Sequence, residues 1–163
     1  MRTCAMIAGH DDQKDSYTDS LEKIFLLLYK DFGIRKILSG IHKGKELTAL
    51  DYLLRNKNEY PFLKVHGVFT HEEEANLWDE NDREKLFHAI RYCDEEWILK
   101  PIFGTEMRFQ RNIVMMNASD LVLLLGKDNE ILFWAKKLKK PVVYMDEISG
   151  KMVPDIHLWS KDH

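Results

Sequence analysis

The stretch that decides the fold lies at residues 109–126 and reads FQRNIVMMNASDLVLLLG. Its apolar spacing predicts a short helix, Met107 to Asn117, that runs almost directly into an apolar strand, Asp120 to Leu125. Arg108 and Arg111 are three residues apart, so on a helix they share one face. Guanidinium groups held near the ends of strands are what an anionic ligand such as a phosphate needs.

Outward from this stretch, short apolar runs alternate with helical periods along the chain. The other predicted elements are, in chain order, the strand Thr3–Ala8, the helix Tyr17–Phe32, the strand Lys36–Ser39, the helix Lys45–Asn56, the strand Leu63–Phe69, the helix Asp82–Cys93, the strand Glu96–Leu99, the helix Asn129–Leu138 and the strand Val142–Met145. Alternation with almost wholly apolar strands implies a mostly parallel sheet covered on both faces. We therefore expect a Rossmann-like three-layer α/β/α sandwich with about six strands.

The chain has 163 residues, which suits one domain with a sizeable core. We expect that domain at residues 1–148 and a polar C-terminal tail at residues 149–163. Cys4 and Cys93 form no CxxC pair, so we expect free thiols in a reduced, cytoplasmic setting. The first residues lack the apolar region of a signal peptide, and the longest apolar run falls far short of the roughly 20 residues of a membrane span.

The charge balance limits the class of partner. With 24 basic and 27 acidic residues, the formal net charge is -3, which gives the whole chain no attraction for a polyanion. We therefore expect no nucleic-acid partner and no membrane partner, and any anion site must be local. We also expect no metal and no cofactor, because His10-Asp11-Asp12 and the acidic run at His71 lack the spacing of metal ligands.

In parallel α/β sheets, the ligand crevice lies beyond the carboxyl ends of the strands. The residues that follow the predicted strands, together with the polar face of the arginine helix, are therefore the candidate ligand contacts. They are Gly9, His10, Asp11, Ser39, Gly40, Lys43, Arg108, Arg111, Asn112 and Gly126. The segment from Gly40 to Lys45 is one residue short of a phosphate-binding P-loop and lacks its Ser or Thr, so we do not expect an NTPase.

Several motifs together resemble the SLOG superfamily, named for the SMF/DprA and LOG proteins, and within it the YpsA-like group. Residues 3–10 resemble that group's opening strand, which ends in a Gly-His-Arg turn, although Asp11 stands here where the arginine is usual. Trp78 to Arg83 resembles its Trp-x-x-x-Asp segment. Gln110-Arg111-Asn112, followed by Asp120, resembles its Gln-x-Arg-Asn helix and the strand after it. The resemblance covers roughly residues 3–146 and implies a nucleotide-like ligand, with Trp78 offering a surface for stacking on a base.

Two further turns depart from the pattern of that group. A glycine pair usually follows the second strand and a Gly-Gly-Thr turn follows the fifth, whereas here Gly40 and Gly126 each stand as a single glycine. Glycines in such turns let backbone N–H groups approach a phosphate closely. Asp128 adds a negative charge to the second turn and would repel a phosphate unless it is paired.

Three functions follow from these observations. The first is binding of a nucleotide or a nucleotide-derived small molecule by a domain that forms a homodimer. The second, implied by resemblance to the LOG enzymes, is a nucleoside 5'-monophosphate phosphoribohydrolase in which Glu130 stabilises the cation-like sugar and Arg111 holds the phosphate. The third is a regulatory interaction protein with a degenerate pocket. A purely structural role is also open for Arg108 and Arg111, in which they neutralise acidic neighbours such as Glu106.

Overall fold

The computed structural model of the chain describes residues 2–9, 18–42, 44–70, 78–99, 106–145 and 152–155. Strands and helices alternate through these residues, except that the last two elements are both strands. Their bounds are β1 Arg2–Ala8, α1 Thr18–Leu26, β2 Ile34–Gly40, α2 Lys45–Arg55, β3 Lys64–Thr70, α3 Glu80–Tyr92, β4 Glu95–Leu99, α4 Met107–Asn117, β5 Leu121–Leu125, α5 Asn129–Lys137, β6 Val142–Met145 and β7 Met152–Asp155.

The strands form one sheet in the order β4-β3-β2-β1-β5-β6-β7. The first six strands are parallel to one another, and β7 pairs antiparallel with β6. The predicted Rossmann-like α/β fold is therefore confirmed. The chain builds outward from β1 to β4 on one side and then returns to place β5 on the other side of β1. Strand order thus reverses between β1 and β5, and this is the position where such sheets form a ligand crevice.

Two separate apolar cores lie on the two faces of the sheet, because successive side chains of a strand point to opposite faces. On one face, Cys4 and Met6 of β1 pack in a buried cluster with Leu50 of α2. On the other face, Ile7 of β1 packs in a cluster with Met115 of α4. The helices α1 and α2 therefore cover one face, while α4 and α5 cover the other.

Most element bounds differ from the predicted ones by one or two residues, and two differences from prediction are larger. The first helix was predicted to reach Phe32, but its α-helical part ends at Leu26 and a π-helical turn, Leu27–Asp31, continues it. The strand β7 was not predicted, since a short polar segment with Pro154 reads as a tail. Proline is tolerated there because β7 pairs through one edge only. The division between a domain at 1–148 and a tail at 149–163 stays a prediction.

Within the described part of the chain, no helix is both long enough and apolar enough to cross a membrane. Both cysteines are free, as predicted from their spacing. Burial raises the pKa of the Cys4 thiol to about 12, although a backbone hydrogen bond at Leu123 acts in the opposite direction. Burial, together with Glu96 and Asp94, also raises the pKa of Cys93 to about 12.

Both thiols should therefore resist alkylation in the folded protein. The thiolate is the reactive form of cysteine, and near neutral pH a thiol with so high a pKa holds almost none of it. We expect iodoacetamide to leave Cys4 and Cys93 unmodified in native buffer and to modify both in guanidinium chloride, as read by intact mass. Rapid native modification of Cys4 at neutral pH would show that β1 is not packed as described.

Candidate functional site

Three of the predicted glycines lie at one edge of the sheet. Gly9 follows β1, Gly40 ends β2, and Gly126 follows β5. The three strands are parallel neighbours, so their carboxyl ends meet at the same edge. We call this the carboxyl edge. Gly126 has a φ of 86°, a left-handed conformation in which glycine carries no steric penalty.

A buried carboxylate lies at the centre of the carboxyl edge. Glu46, in the first turn of α2, is 0% exposed. Its Oε2 accepts a hydrogen bond from the backbone N–H of Ala8 at 2.8 Å, and its Oε1 accepts one from the backbone N–H of His42 at 3.3 Å. The Arg111 Nη2 donates to Oε2 at 2.7 Å. The carboxylate therefore joins β1, the segment before α2, and α4.

Arg111 is held from two sides. Its residue exposure is only 3%, so the guanidinium lies inside the protein and not on its surface. One side faces Glu46. On the other side, the Asn112 Oδ1 accepts hydrogen bonds from the Arg111 Nη2 at 2.7 Å and from Nε at 3.2 Å. Arg111, Asn112 and Glu46 thus form one hydrogen-bonded network.

Arg108 lies one helical turn before Arg111 and is the more exposed of the two, with a side-chain exposure of 12% against 4%. Its Nη2 donates to the carbonyl oxygens of Gly9 at 3.2 Å and Ala8 at 3.4 Å. The same nitrogen lies 3.9 Å from the Glu46 Oε2. Arg108 therefore contacts the end of β1 directly, and the two predicted arginines share the Glu46 carboxylate.

The charges of this cluster set the protonation state of Glu46. Burial, the largest influence, would raise the pKa of its carboxyl group. The positive charges of Arg111 and then Arg108, together with the hydrogen bond from the Ala8 N–H, act in the other direction and prevail. The pKa of Glu46 is therefore held below its ordinary value, and the carboxylate is charged at neutral pH.

Gly40 is needed to make room for the ion pair. A Cβ at this position would lie 2.3 Å from the Glu46 Oε1 and 2.6 Å from the Arg111 Cζ. Both atoms are fixed by the hydrogen bonds described above, so neither can move cheaply. The absence of a side chain at Gly40 thus serves the contact between Glu46 and Arg111.

Gly9 has a similar relation to Asp128. A Cβ on Gly9 would lie 2.8 Å from the Asp128 Oδ2, so the Asp128 side chain packs against the chain at the reversal point between β1 and β5. Asp128 also caps α5, where its Oδ1 accepts a hydrogen bond from the Ile131 N–H at 3.1 Å. The N-terminus of α5 is therefore capped by a carboxylate of the chain itself.

The other predicted site residues occupy varied places. Ser39 is buried, and its hydroxyl donates to the Gly40 carbonyl at 2.8 Å. Trp78 is also buried, and its ring meets the His42 ring edge-on at a centroid distance of 6.1 Å. Glu130 is exposed in the first turn of α5. The predicted residues His10, Asp11 and Lys43, and the acidic run at His71, lie outside the described residues.

Two other features of the described residues bear on the choice of site. No three His, Cys, Asp or Glu side chains among them form a group that could hold a metal ion. A groove of about 220 Å³ lies at the β4 edge of the sheet. It is lined by Phe69, Thr70, Ile90, Glu96 and Ile98. The charged group in this lining is a carboxylate, so the groove offers an anion no attraction.

Glu46 is the main member of the cluster that sequence reasoning did not select. Its signal was available, because Glu46 lies four residues before Leu50 and seven before Leu53, and both are fully buried. A carboxylate on the apolar face of an amphipathic helix is costly to bury without a partner. That position could have indicated a buried cation elsewhere in the chain, although not which one, and this prediction was not made.

Six parallel strands whose order reverses between β1 and β5 define a Rossmann-like α/β domain. The chain belongs to the YpsA family of SLOG proteins, described as the YspA SLOG family, whose model matches residues 6–140. It is also similar to a UPF0398 protein of Bacillus velezensis, with 28% identity over 121 residues. That match covers 73% of this chain and 66% of the relative, so the chain spans just under two-thirds of the relative's length. The resemblance found in the motifs is confirmed.

Removing the Glu46 carboxylate should destabilise the protein strongly. The Glu46→Ala variant leaves Arg111 buried without its countercharge, and breaking a buried pair from one side costs about 3–5 kcal/mol. We expect the free energy of unfolding in urea to fall by that amount. The double variant Glu46→Ala/Arg111→Met removes both charges and should recover much of the loss. Equal losses in the single and double variants would show that the pair is not coupled.

The same pair should make stability depend on pH. The folded-state pKa of Glu46 is below its ordinary value of 4.5, so the pair's contribution is fully present above that value and is lost as pH falls through the folded pKa. We expect the free energy of unfolding to decline from neutral pH to about pH 3, and to decline less in Glu46→Gln. Identical pH profiles for the two proteins would contradict this assignment.

Proposed function

We propose that this chain binds a nucleotide or a nucleotide-derived small molecule at the carboxyl edge of β2, β1 and β5. The observation that carries the proposal is the placement of Arg108 and Arg111. The Arg108 guanidinium donates to the Gly9 carbonyl after β1. The Arg111 guanidinium pairs with Glu46 beside Gly40, at the end of β2. Planar guanidinium groups suit phosphate and carboxylate ligands. They stand beside the reversal of strand order, where ligands of such sheets bind.

The two arginines are suited to different tasks. The described hydrogen bonds of Arg111 go to Glu46 and Asn112, so it stabilises the frame of the site. Arg108 is more exposed, and its Nη2 donates to the carbonyl oxygens of Gly9 and Ala8, whose place as acceptor a phosphate oxygen can take. In the proposed site, Arg108 contacts the anionic group of the ligand. The earlier prediction that Arg111 itself holds a phosphate remains a prediction.

The position of the ligand is further limited by Asp128. In many Rossmann-like domains a phosphate lies at the N-terminus of a helix that follows a strand. Here Asp128 accepts the Ile131 N–H at the N-terminus of α5 and packs against Gly9. A phosphate at that place would compete with this carboxylate. The proposed ligand therefore presents its anionic group on the α4 side of the crevice.

Family membership supports this choice of ligand class, since a SLOG domain suggests a nucleotide-like ligand. The phosphoribohydrolase reading, with Glu130 and Arg111 as its catalytic residues, stays a prediction, and so does the homodimer. The experiment that follows distinguishes ligand binding from the third hypothesis, a regulatory interaction protein with a degenerate pocket. Such a protein would retain no nucleotide.

A ligand screen tests the proposal. We expect the supernatant of the denatured protein to contain a nucleotide-derived compound by mass spectrometry, and the same compound to raise the melting temperature of the native protein. Arg108→Ala should weaken its binding by about 10- to 100-fold, since a hydrogen bond to a charged group is worth about 1.5–3 kcal/mol.

Arg91→Ala is the matched control, because Arg91 is an exposed arginine in the last turn of α3. It should leave binding unchanged. If no nucleoside, nucleotide or dinucleotide raises the melting temperature, or if Arg108→Ala and Arg91→Ala bind equally well, the proposed site is wrong.

A further inference from the structure

The surroundings of the Glu46 carboxylate have the composition of an anion-binding site. Four donors face it: the backbone N–H groups of Ala8 and His42, and the guanidinium groups of Arg111 and Arg108. These donors belong to β1, to the segment before α2, and to α4. Backbone N–H groups combined with guanidinium groups are the usual donors for bound phosphate or carboxylate.

We infer that Glu46 is a built-in anion that permanently fills an anion-binding position at the carboxyl edge. We call the space among these four donors the inner position. Once the Glu46 carboxylate is removed, the inner position is a binding site for a small monocarboxylate. The chain itself supplies these donors, and its own Glu46 carboxylate is the anion that they face. The consequence for the ligand rests on the proposed function: the anionic group of the ligand is confined to the outer arginine, Arg108.

The geometry shows that the Glu46 carboxylate fills a buried position and does not form a simple surface ion pair. Glu46 is 0% exposed, so its carboxylate takes the inner position completely. Each of its two oxygens accepts a backbone N–H, and Oε2 also accepts the Arg111 Nη2. Gly40 leaves open the space that both side chains fill. The donors are therefore arranged around a carboxylate on several sides.

The Glu46 carboxylate also prevents a second anion from sharing the inner position. Two carboxylate or phosphate groups a few ångströms apart in a buried site repel each other strongly, because little water screens them. Glu46 arrives on α2, already tethered, and so it holds the position without the entropy cost that a free anion meets on binding. A ligand phosphate must therefore remain outside, where Arg108 is partly exposed.

Chemical rescue with sodium acetate tests the inference. The Glu46→Ala substitution removes a carboxymethyl group, and acetate has the same charge and nearly the same shape. We expect saturating acetate to raise the melting temperature of Glu46→Ala by about 5 °C relative to sodium chloride of equal ionic strength. Acetamide, which is neutral and of similar shape, should give no such rise.

Two matched controls separate anion binding from filling of a cavity. Wild-type protein should show no acetate effect, because its position is filled. Leu50→Ala, which opens an apolar cavity one turn later on the same helix, should not respond either, since Leu50 is fully buried in the apolar cluster. If acetate acts on Glu46→Ala no more than chloride or acetamide does, the inference is overturned.

If Glu46→Ala folds too poorly for a melting temperature to be measured, the inference can still be tested by refolding. In that case, refolding from urea is compared in acetate and in chloride, and a higher yield in acetate is expected. Equal yields contradict the inference. Because no nucleotide takes part in these measurements, a negative ligand screen would defeat the proposed function alone, and a failed rescue would defeat the built-in anion alone.

Discussion

The buried ion pair between Glu46 and Arg111 is the contact on which the carboxyl edge depends. Glu46 comes from α2, which covers one face of the sheet, and Arg111 comes from α4, which covers the other. Their contact at 2.7 Å therefore joins the two outer layers across the ends of β1 and β2. A buried pair seldom adds stability over an apolar contact of the same volume. Its place at the strand ends is the basis of the proposed site.

The fold was predictable because it depends on local patterns. The apolar run of β5 and the helical spacing of α4 predicted both elements, and the observed bounds of α4 are those predicted, Met107–Asn117. Buried parallel strands show as continuous apolar runs, so the order of elements led directly to a parallel sheet. The strand β7 escaped prediction because its stability comes from pairing with β6, which a short polar segment does not reveal.

The site was predictable only in part, because its main contact is not local. The sequence placed Arg108, Arg111 and Asn112 on one helix, and their proximity follows from helical spacing alone. The partner of Arg111 lies 65 residues earlier in the chain, and only the tertiary fold brings it close. The contact of Asp128 with Gly9 likewise depends on the pairing of β1 with β5, which spacing along the chain cannot show.

Gly40 gains a physical explanation from these contacts. In the sequence, Gly40 and Gly126 stand singly where the resembled group has glycine-rich turns, which let a backbone approach a phosphate closely. In the structure Gly40 lies against the Glu46 carboxylate, and Gly9, which follows β1, lies against the Asp128 carboxylate. Space without a side chain can admit a ligand or an internal group, and here it admits internal groups. The proposed site places an external anion at Arg108, so in that proposal the changed turns alter where a ligand binds and do not abolish binding.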